Sequence, residues 1–170
     1  MNEKRTKIGV IGGGYWGKNL IRVFNEIGVL TAICDLNKTI TTSYKETYPD
    51  VEIFSDYEKL IKNPGIDALV IATPASTHYK ITKSALETGK DVFCEKPLAL
   101  NTKQGKHLVK IASDNNLILM VGHILHYHPA VEKLKEIVKR KELGNIEYIY
   151  SNRLNIGRIR HEENILWSFA

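Results

Sequence analysis

The chain has 170 residues, room for one substantial domain but not two full ones, and 43% of them are apolar, which excludes a disordered chain. No apolar run nears the ~20 residues of a membrane span, and the opening MNEKRTKIGV lacks the apolar stretch and small-residue cleavage site of a signal peptide. Net charge is +5, from 24 Lys+Arg against 19 Asp+Glu; the excess suits an anionic ligand such as a nucleotide or is ordinary solubility charge, and the lysines are too dispersed for a nucleic-acid surface.

The first predicted element is a strand over 7–12, KIGVIG, which runs straight into Gly12-Gly13-Gly14-Tyr15-Trp16-Gly17. A helix follows, with Leu20, Ile21, Phe24 and Ile27 as its apolar stripe and Gly28 at its stop. A second strand over 29–34 ends at Asp35, and a third covers 51–54. Ser55 and Glu58 have capping-box spacing ahead of the next helix. The fourth strand, 68–73, opens into TPASTH, and Gly89 falls just past the helical pattern behind it. The fifth, 91–95, opens into EKP; Asn101 and Gln104 then form a weaker capping box. The sixth strand covers 117–122. Most of these runs are apolar throughout, which suits strands buried on both faces of a parallel sheet. Strands alternating with helices predict a doubly wound α/β fold of the Rossmann kind with right-handed crossovers.

After Gly122 the pattern changes. Pro129 opens an amphipathic helix, AVEKLKEIVKRKEL, with Gly144 just beyond it. Ile146, Tyr148 and Tyr150 then alternate with polar residues, as in a strand of an antiparallel sheet with one wet face. The expected organisation is a dinucleotide-binding domain over 1–122 and the start of an α+β domain over 123–170, truncated within NILWSFA. The two cysteines, Cys34 and Cys94, match no zinc or redox spacing, so a reduced, cytoplasmic protein is expected.

The glycine pattern G-x-G-x-x-G sits between a strand and a helix, the context it needs to bind a dinucleotide. Gly12 permits the tight turn, Gly14 lets a pyrophosphate approach the backbone, and Gly17 lets helix and strand pack closely. N–H groups of the turn, with Tyr15 and Trp16 in it, face the phosphates, assisted by the helix dipole. Gly13 fills a variable position and is read as incidental. Asp35 follows Gly12 at close to the expected ~20-residue spacing, where a carboxylate accepts hydrogen bonds from ribose hydroxyls and repels a 2′-phosphate. Leu36 and Asn37 come next with no adjacent arginine, so NAD is expected over NADP, although Lys38 pulls slightly the other way. Ligands of such sheets bind beyond the carboxyl ends of strands. That places Thr73, Pro74 and His78 beside the middle of the cofactor, and Glu95, Lys96 and Pro97 beside the nicotinamide. A partly desolvated lysine beside a positive nicotinamide has its pKa pushed down toward the range for proton transfer. From EKP alone, an exposed lysine ahead of a turn proline is the simpler reading.

GVIGGGYWGKN, ATPASTH, CEKPLA and GHILHYHPAV, in this order and spacing, resemble the glucose–fructose oxidoreductase/inositol dehydrogenase/rhizopine-catabolism (Gfo/Idh/MocA) family over essentially the whole chain. The resemblance implies that Lys96 takes part in proton transfer and substrate binding, and that Pro97 follows a cis peptide. It also implies that the first domain binds NAD or NADP. An open, mostly antiparallel second domain would hold a sugar or polyol and form the interface of a homo-oligomer. NRLNIGRIRHEENILWSFA is similar to the branch that oxidises the 3-hydroxyl of UDP-N-acetylglucosaminuronic acid on the way to surface polysaccharides. In that reading Arg153, Arg158 and Arg160 offer forks to a carboxylate or diphosphate; as isolated charges they read as solvated. The family's catalytic histidine would fall just past WSFA, beyond Ala170. The expectation is therefore the N-terminal part of a longer dehydrogenase, or an inactive form. A chain of this length would expose Trp167 and Phe169 and self-associate. A non-catalytic NAD-binding or interaction module remains the alternative. His123, His126 and His128 form H-x-x-H-x-H. The resemblance places His123 near substrate, and no carboxylate or cysteine nearby completes a metal set, so no metal is assigned.

Overall fold

The structure, a computed structural model, describes residues 6–152. Arg153, Arg158, Arg160, Trp167 and Phe169 lie outside the described residues. Six parallel strands form one sheet: β1 (Ile8–Ile11), β2 (Leu30–Cys34), β3 (Glu52–Phe54), β4 (Ala68–Ile71), β5 (Asp91–Cys94) and β6 (Leu119–Val121). Their order is β3-β2-β1-β4-β5-β6, with every neighbouring pair parallel. The chain winds outward from β1 in one direction, then returns to lay β4 on its other side. That reversal opens a crevice at the carboxyl ends of β1 and β4. This is the doubly wound Rossmann arrangement expected from the sequence.

The unbroken apolar runs have a direct cause. Val10 packs into a cluster with Ile21, Ile33 and Val70, while its neighbour Ile11 packs with Ala32, Cys34, Leu69 and Ile71. Successive residues of β1, β2 and β4 thus enter cores on opposite faces of the sheet, so neither parity can be polar there.

The connecting helices are α1 (Gly17–Glu26), α2 (Lys38–Thr47), α3 (Tyr57–Ile61), α4 (Ala75–Glu87) and α5 (Thr102–Asp114). Ile21 of α1 is fully buried, whereas Ile27, read as part of its stripe, is exposed past the helix end. Gly28 follows it with φ +72°. Asn101 Oδ1 accepts the Gln104 N–H at 2.9 Å, as its spacing predicts. At α3 the expectation shifts by one residue. The cap is Asp56, not Ser55: its carboxylate accepts the Glu58 N–H at 2.9 Å. The longer strand-to-helix connection moves the start, and a carboxylate caps as well as a hydroxyl.

The first compact unit runs through Gly122, and a second begins at His123. In the second, a 3-10 turn (Ile124–Tyr127) leads to α6 (Pro129–Lys139). Pro129 holds the first helical position, and His128 Nδ1 caps the helix by accepting the Ala130 N–H at 3.2 Å. The helix stops short of the expected 143, because Lys141 already has φ +54°. The strand expected over 146–150 does not form. Ile146, Tyr148, Ile149 and Tyr150 are all exposed, on both parities, and no described strand pairs with them. An isolated strand has no ladder to satisfy its backbone, so alternation alone cannot make one.

Both thiols are buried and free. Burial, then the Asp35 and Asp56 carboxylates, pushes Cys34 up to about 12. Burial also lifts Cys94 to about 12, the Thr82 hydroxyl opposing it and Glu95 adding to it. Since only a thiolate attacks, an aromatic disulfide reagent at pH 8 should titrate neither cysteine in the folded chain and both after denaturation; rapid labelling of either in the native state would refute this burial. No helix among the described residues is long and apolar enough to cross a membrane.

Candidate functional site

The crevice is built from three loops at the carboxyl ends of β1, β4 and β5. In the first, Gly12 turns the chain with φ +96°. A side chain there would lie 2.7 Å from the Ala72 carbonyl carbon and oxygen, so β1 and β4 can end side by side only with glycine. Gly17 is tighter still: a Cβ would sit 1.8 Å from the Gly12 oxygen. The start of α1 thus rests directly on the turn. Gly14 is the opposite case, with nothing within 4 Å of a Cβ. Its open side is where a phosphate can reach the backbone. The tight turn at Gly12 and the close helix–strand packing at Gly17 are both present.

Gly13, read as incidental, is not. A Cβ on it would strike the Tyr44 ring at 2.5 Å, its N–H donates to Asp35 Oδ2 at 2.8 Å, and its carbonyl accepts the Tyr44 hydroxyl at 2.8 Å. Burial, with smaller contributions from Tyr48 and Asp35, raises the Tyr44 pKa, which keeps this hydroxyl a donor. Tyr44 has no signal in the sequence, because α2 carries it 31 residues away from Gly13.

Asp35, half-buried at the end of β2, accepts from Gly13 N through one oxygen and from Asn37 N at 2.8 Å through the other. A carboxylate has about four lone-pair sites, so acceptor capacity is left for hydroxyl groups. Leu36 and Tyr15 are both exposed. Lys18 Nζ lies 5.3 Å from the centre of the Tyr15 ring.

At the second loop, the Thr73 hydroxyl meets that of Thr77 at 2.7 Å, and Pro74 leads into α4. The sequence puts His78 beside the cofactor; the structure places it beneath the loops instead. It is 1% exposed, with Nε2 on the Thr73 carbonyl and Nδ1 on the Pro97 carbonyl, both at 2.7 Å. Neither nitrogen is left for a ligand. His78 ties the β4 and β5 loops together, a role that positions rather than binds.

At the third loop, Glu95 is buried and Lys96 is half-buried. The Lys96–Pro97 peptide is cis, as the resemblance implied. Glu95 Oε1 accepts the Trp16 indole N–H at 2.6 Å, across 79 residues, and Oε2 faces the Lys96 N–H at 3.3 Å. Gly122 closes the third side: a Cβ there would lie 2.8 Å from Oε2. The sequence marks Trp16, Glu95 and Lys96 singly but not their connection, and it marks Gly122 only as the end of a strand.

In the second unit, His128 caps α6, His126 Nδ1 lies 3.3 Å from Lys135 Nζ, and the His123 and His126 rings meet edge-on at 5.9 Å. Among the described residues no group of three His, Cys, Asp or Glu side chains comes together as metal ligands.

Comparison with known proteins identifies the family and the fold. Residues 6–123 match the Gfo/Idh/MocA oxidoreductase family, described as having an NAD-binding Rossmann fold. The scyllo-inositol 2-dehydrogenase (NADP(+)) of Bacillus subtilis is 26% identical over 165 residues, 95% of this chain and 44% of its own length. The scyllo-inositol dehydrogenase of Lactobacillus casei with bound NAD(H) and scyllo-inositol superposes with a TM-score of 0.75 at 26% identity, covering 84% of this chain and 43% of that one. The WlbA dehydrogenase of Bordetella pertussis, in complex with NADH and UDP-GlcNAcA, superposes with a TM-score of 0.77 at 25% identity, covering 83% and 44%. The chain thus spans less than half the length of these relatives.

Proposed function

Because the chain belongs to the Gfo/Idh/MocA family of oxidoreductases, we propose that it forms the cofactor-binding part of an NAD-dependent dehydrogenase. Its substrate is a CH–OH group of a sugar or sugar nucleotide. The observation that carries the cofactor reading is Asp35, held by two backbone N–H groups at the end of β2 with acceptor capacity to spare.

The residues fit a dinucleotide. The open side of Gly14 admits a pyrophosphate to the turn, and α1 directs its dipole there. Asp35 receives ribose hydroxyls and disfavours a 2′-phosphate. Bound NAD supplies the hydride acceptor. Lys96 gives or takes the proton of the reacting hydroxyl at Nζ, the part of general acid–base catalysis that this chain contributes. Glu95, Trp16 and His78 fix the backbone around it.

For the substrate we favour the 3-hydroxyl of UDP-N-acetylglucosaminuronate. The likeness to the WlbA dehydrogenase supports this. So do Arg153, Arg158 and Arg160, which offer three guanidinium groups to a ligand bearing a carboxylate and a diphosphate. His123 would lie near the sugar. The inositol dehydrogenases favour a second reading, a neutral cyclic polyol. The proposal also includes a cytoplasmic homo-oligomer, a boundary at 122/123 between cofactor and substrate domains, and synthesis of surface polysaccharide as the setting. A screen of UDP-sugars and free polyols against NAD and NADP, on the longest natural form, separates the two substrates; it should follow product as well as absorbance.

Cofactor choice has its own test on the 170-residue chain. Calorimetry should find NAD tighter than NADP by about 10- to 100-fold, the range of a charged hydrogen bond set against repulsion. Asp35→Ala should level the two. Equal affinities, unchanged by Asp35→Ala, would remove Asp35 from the ribose.

A further inference from the structure

Trp16 belongs to the glycine turn, where it precedes the first residue of α1. Its side chain does not cap that helix. Instead the indole N–H crosses to the β5 loop and ends on the Glu95 carboxylate at 2.6 Å, although the residue remains 42% exposed. Glu95 is only 8% exposed. Burying a carboxylate is costly unless donors meet it. Here the donors are the Trp16 indole and the backbone N–H of Lys96. The carboxylate lies against Gly122 in space that a side chain would fill, since a Cβ there would lie within 3.0 Å of both its oxygens. One carboxylate therefore joins the turn that receives phosphates to the backbone of the residue that handles the proton.

We propose that Trp16 and Glu95 are a positioning pair, through which seating a dinucleotide on the glycine turn orders the Lys96 backbone. The pair rests on the cofactor reading above and adds to it a route between the two ends of the site. A ligand that settles the turn restricts Trp16. Trp16 then restricts Glu95, and the Lys96 N–H is held against Oε2. Phenylalanine at position 16 keeps an aromatic ring and loses only the N–H. Alanine at position 122 disturbs the same carboxylate from a different strand end, because its methyl would lie 2.8 Å from Oε2 and 3.0 Å from Oε1 and the carboxylate must shift.

Backbone amide exchange, resolved by NMR on the 170-residue chain with and without NAD, reads each end separately. In the parent chain NAD should slow exchange both at Gly14 and at Lys96, by about tenfold at Lys96, the worth of one hydrogen bond. In Trp16→Phe the slowing at Gly14 should persist while that at Lys96 disappears. Gly122→Ala should do the same, and the double variant should lose nothing further, since both changes remove one interaction. Undiminished slowing at Lys96 in Trp16→Phe overturns the coupling alone. Absence of any NAD effect in the parent chain overturns the cofactor reading and the coupling with it.

Discussion

Lys96→Met, made in the longest natural form, is expected to lower kcat by about 100- to 10,000-fold, the usual contribution of a positioned acid–base group. Affinity for NAD should stay near the parent value. The reason is the division of labour across the sheet. On the proposed reading the pyrophosphate and ribose meet the ends of β1 and β2, around Gly14 and Asp35, whereas Lys96 follows β5, on the far side of β4. Methionine keeps most of the stem volume and removes only the ammonium. The His78 hydrogen bond to the Pro97 carbonyl does not depend on that charge. Single-turnover kinetics with calorimetry check both halves; turnover within threefold of the parent would return Lys96 to an ordinary half-buried lysine.

Alanine substitution should split the glycine turn into two kinds of residue. Gly17→Ala places a methyl 1.8 Å from a backbone oxygen that cannot step aside. Overpacking of this sort costs about 3 kcal/mol, a fall in Tm of roughly 6–12 °C at this chain length. The displaced α1 should also stop binding dinucleotide. Gly14→Ala meets nothing within 4 Å and has no positive φ to lose. Its Tm should stay within about 1 °C, yet NAD affinity should fall by tenfold or more, because the methyl occupies the side from which a phosphate must come. Thermal melts and calorimetry on the pair give four numbers. Equal loss of stability in both variants would show that the turn is only a structural bend.

The sheet was legible from the sequence because its central strands are short, parallel and covered on both faces, so that Val10, Ile11, Ile33 and Val70 had to be apolar together. Gly12, Gly14, Gly17 and Asp35 were legible for a different reason: a local turn and a nearby strand end impose their spacing. What escaped was non-local. Gly13 acquires its requirement from Tyr44, and Glu95 acquires its partner from Trp16; no window of sequence contains either pair. Helix α4, which carries His78, was legible too, but the depth of the ring depends on two carbonyls that the sequence does not mark. The strand expected over 146–150 failed because alternation describes a surface only when something covers one side.

Helix α2 has no buried residue. It is held by its Asn37 cap and by Tyr44 and Tyr48 lying partly against the Val10 core. Such an element opens at a small fraction of the free energy needed to unfold the whole domain. Yet its Tyr44 hydroxyl holds the Gly13 carbonyl of the glycine turn, and the Gly13 N–H holds Asp35, the residue proposed to meet the ribose. Whenever α2 frays, that half of the crevice loses its form, and a ligand finds only the ordered fraction competent to receive it. Affinity at this edge therefore carries the helix's own equilibrium within it. Substitutions on the solvent side of α2 that strengthen or weaken the helix would tune nucleotide binding without touching the nucleotide.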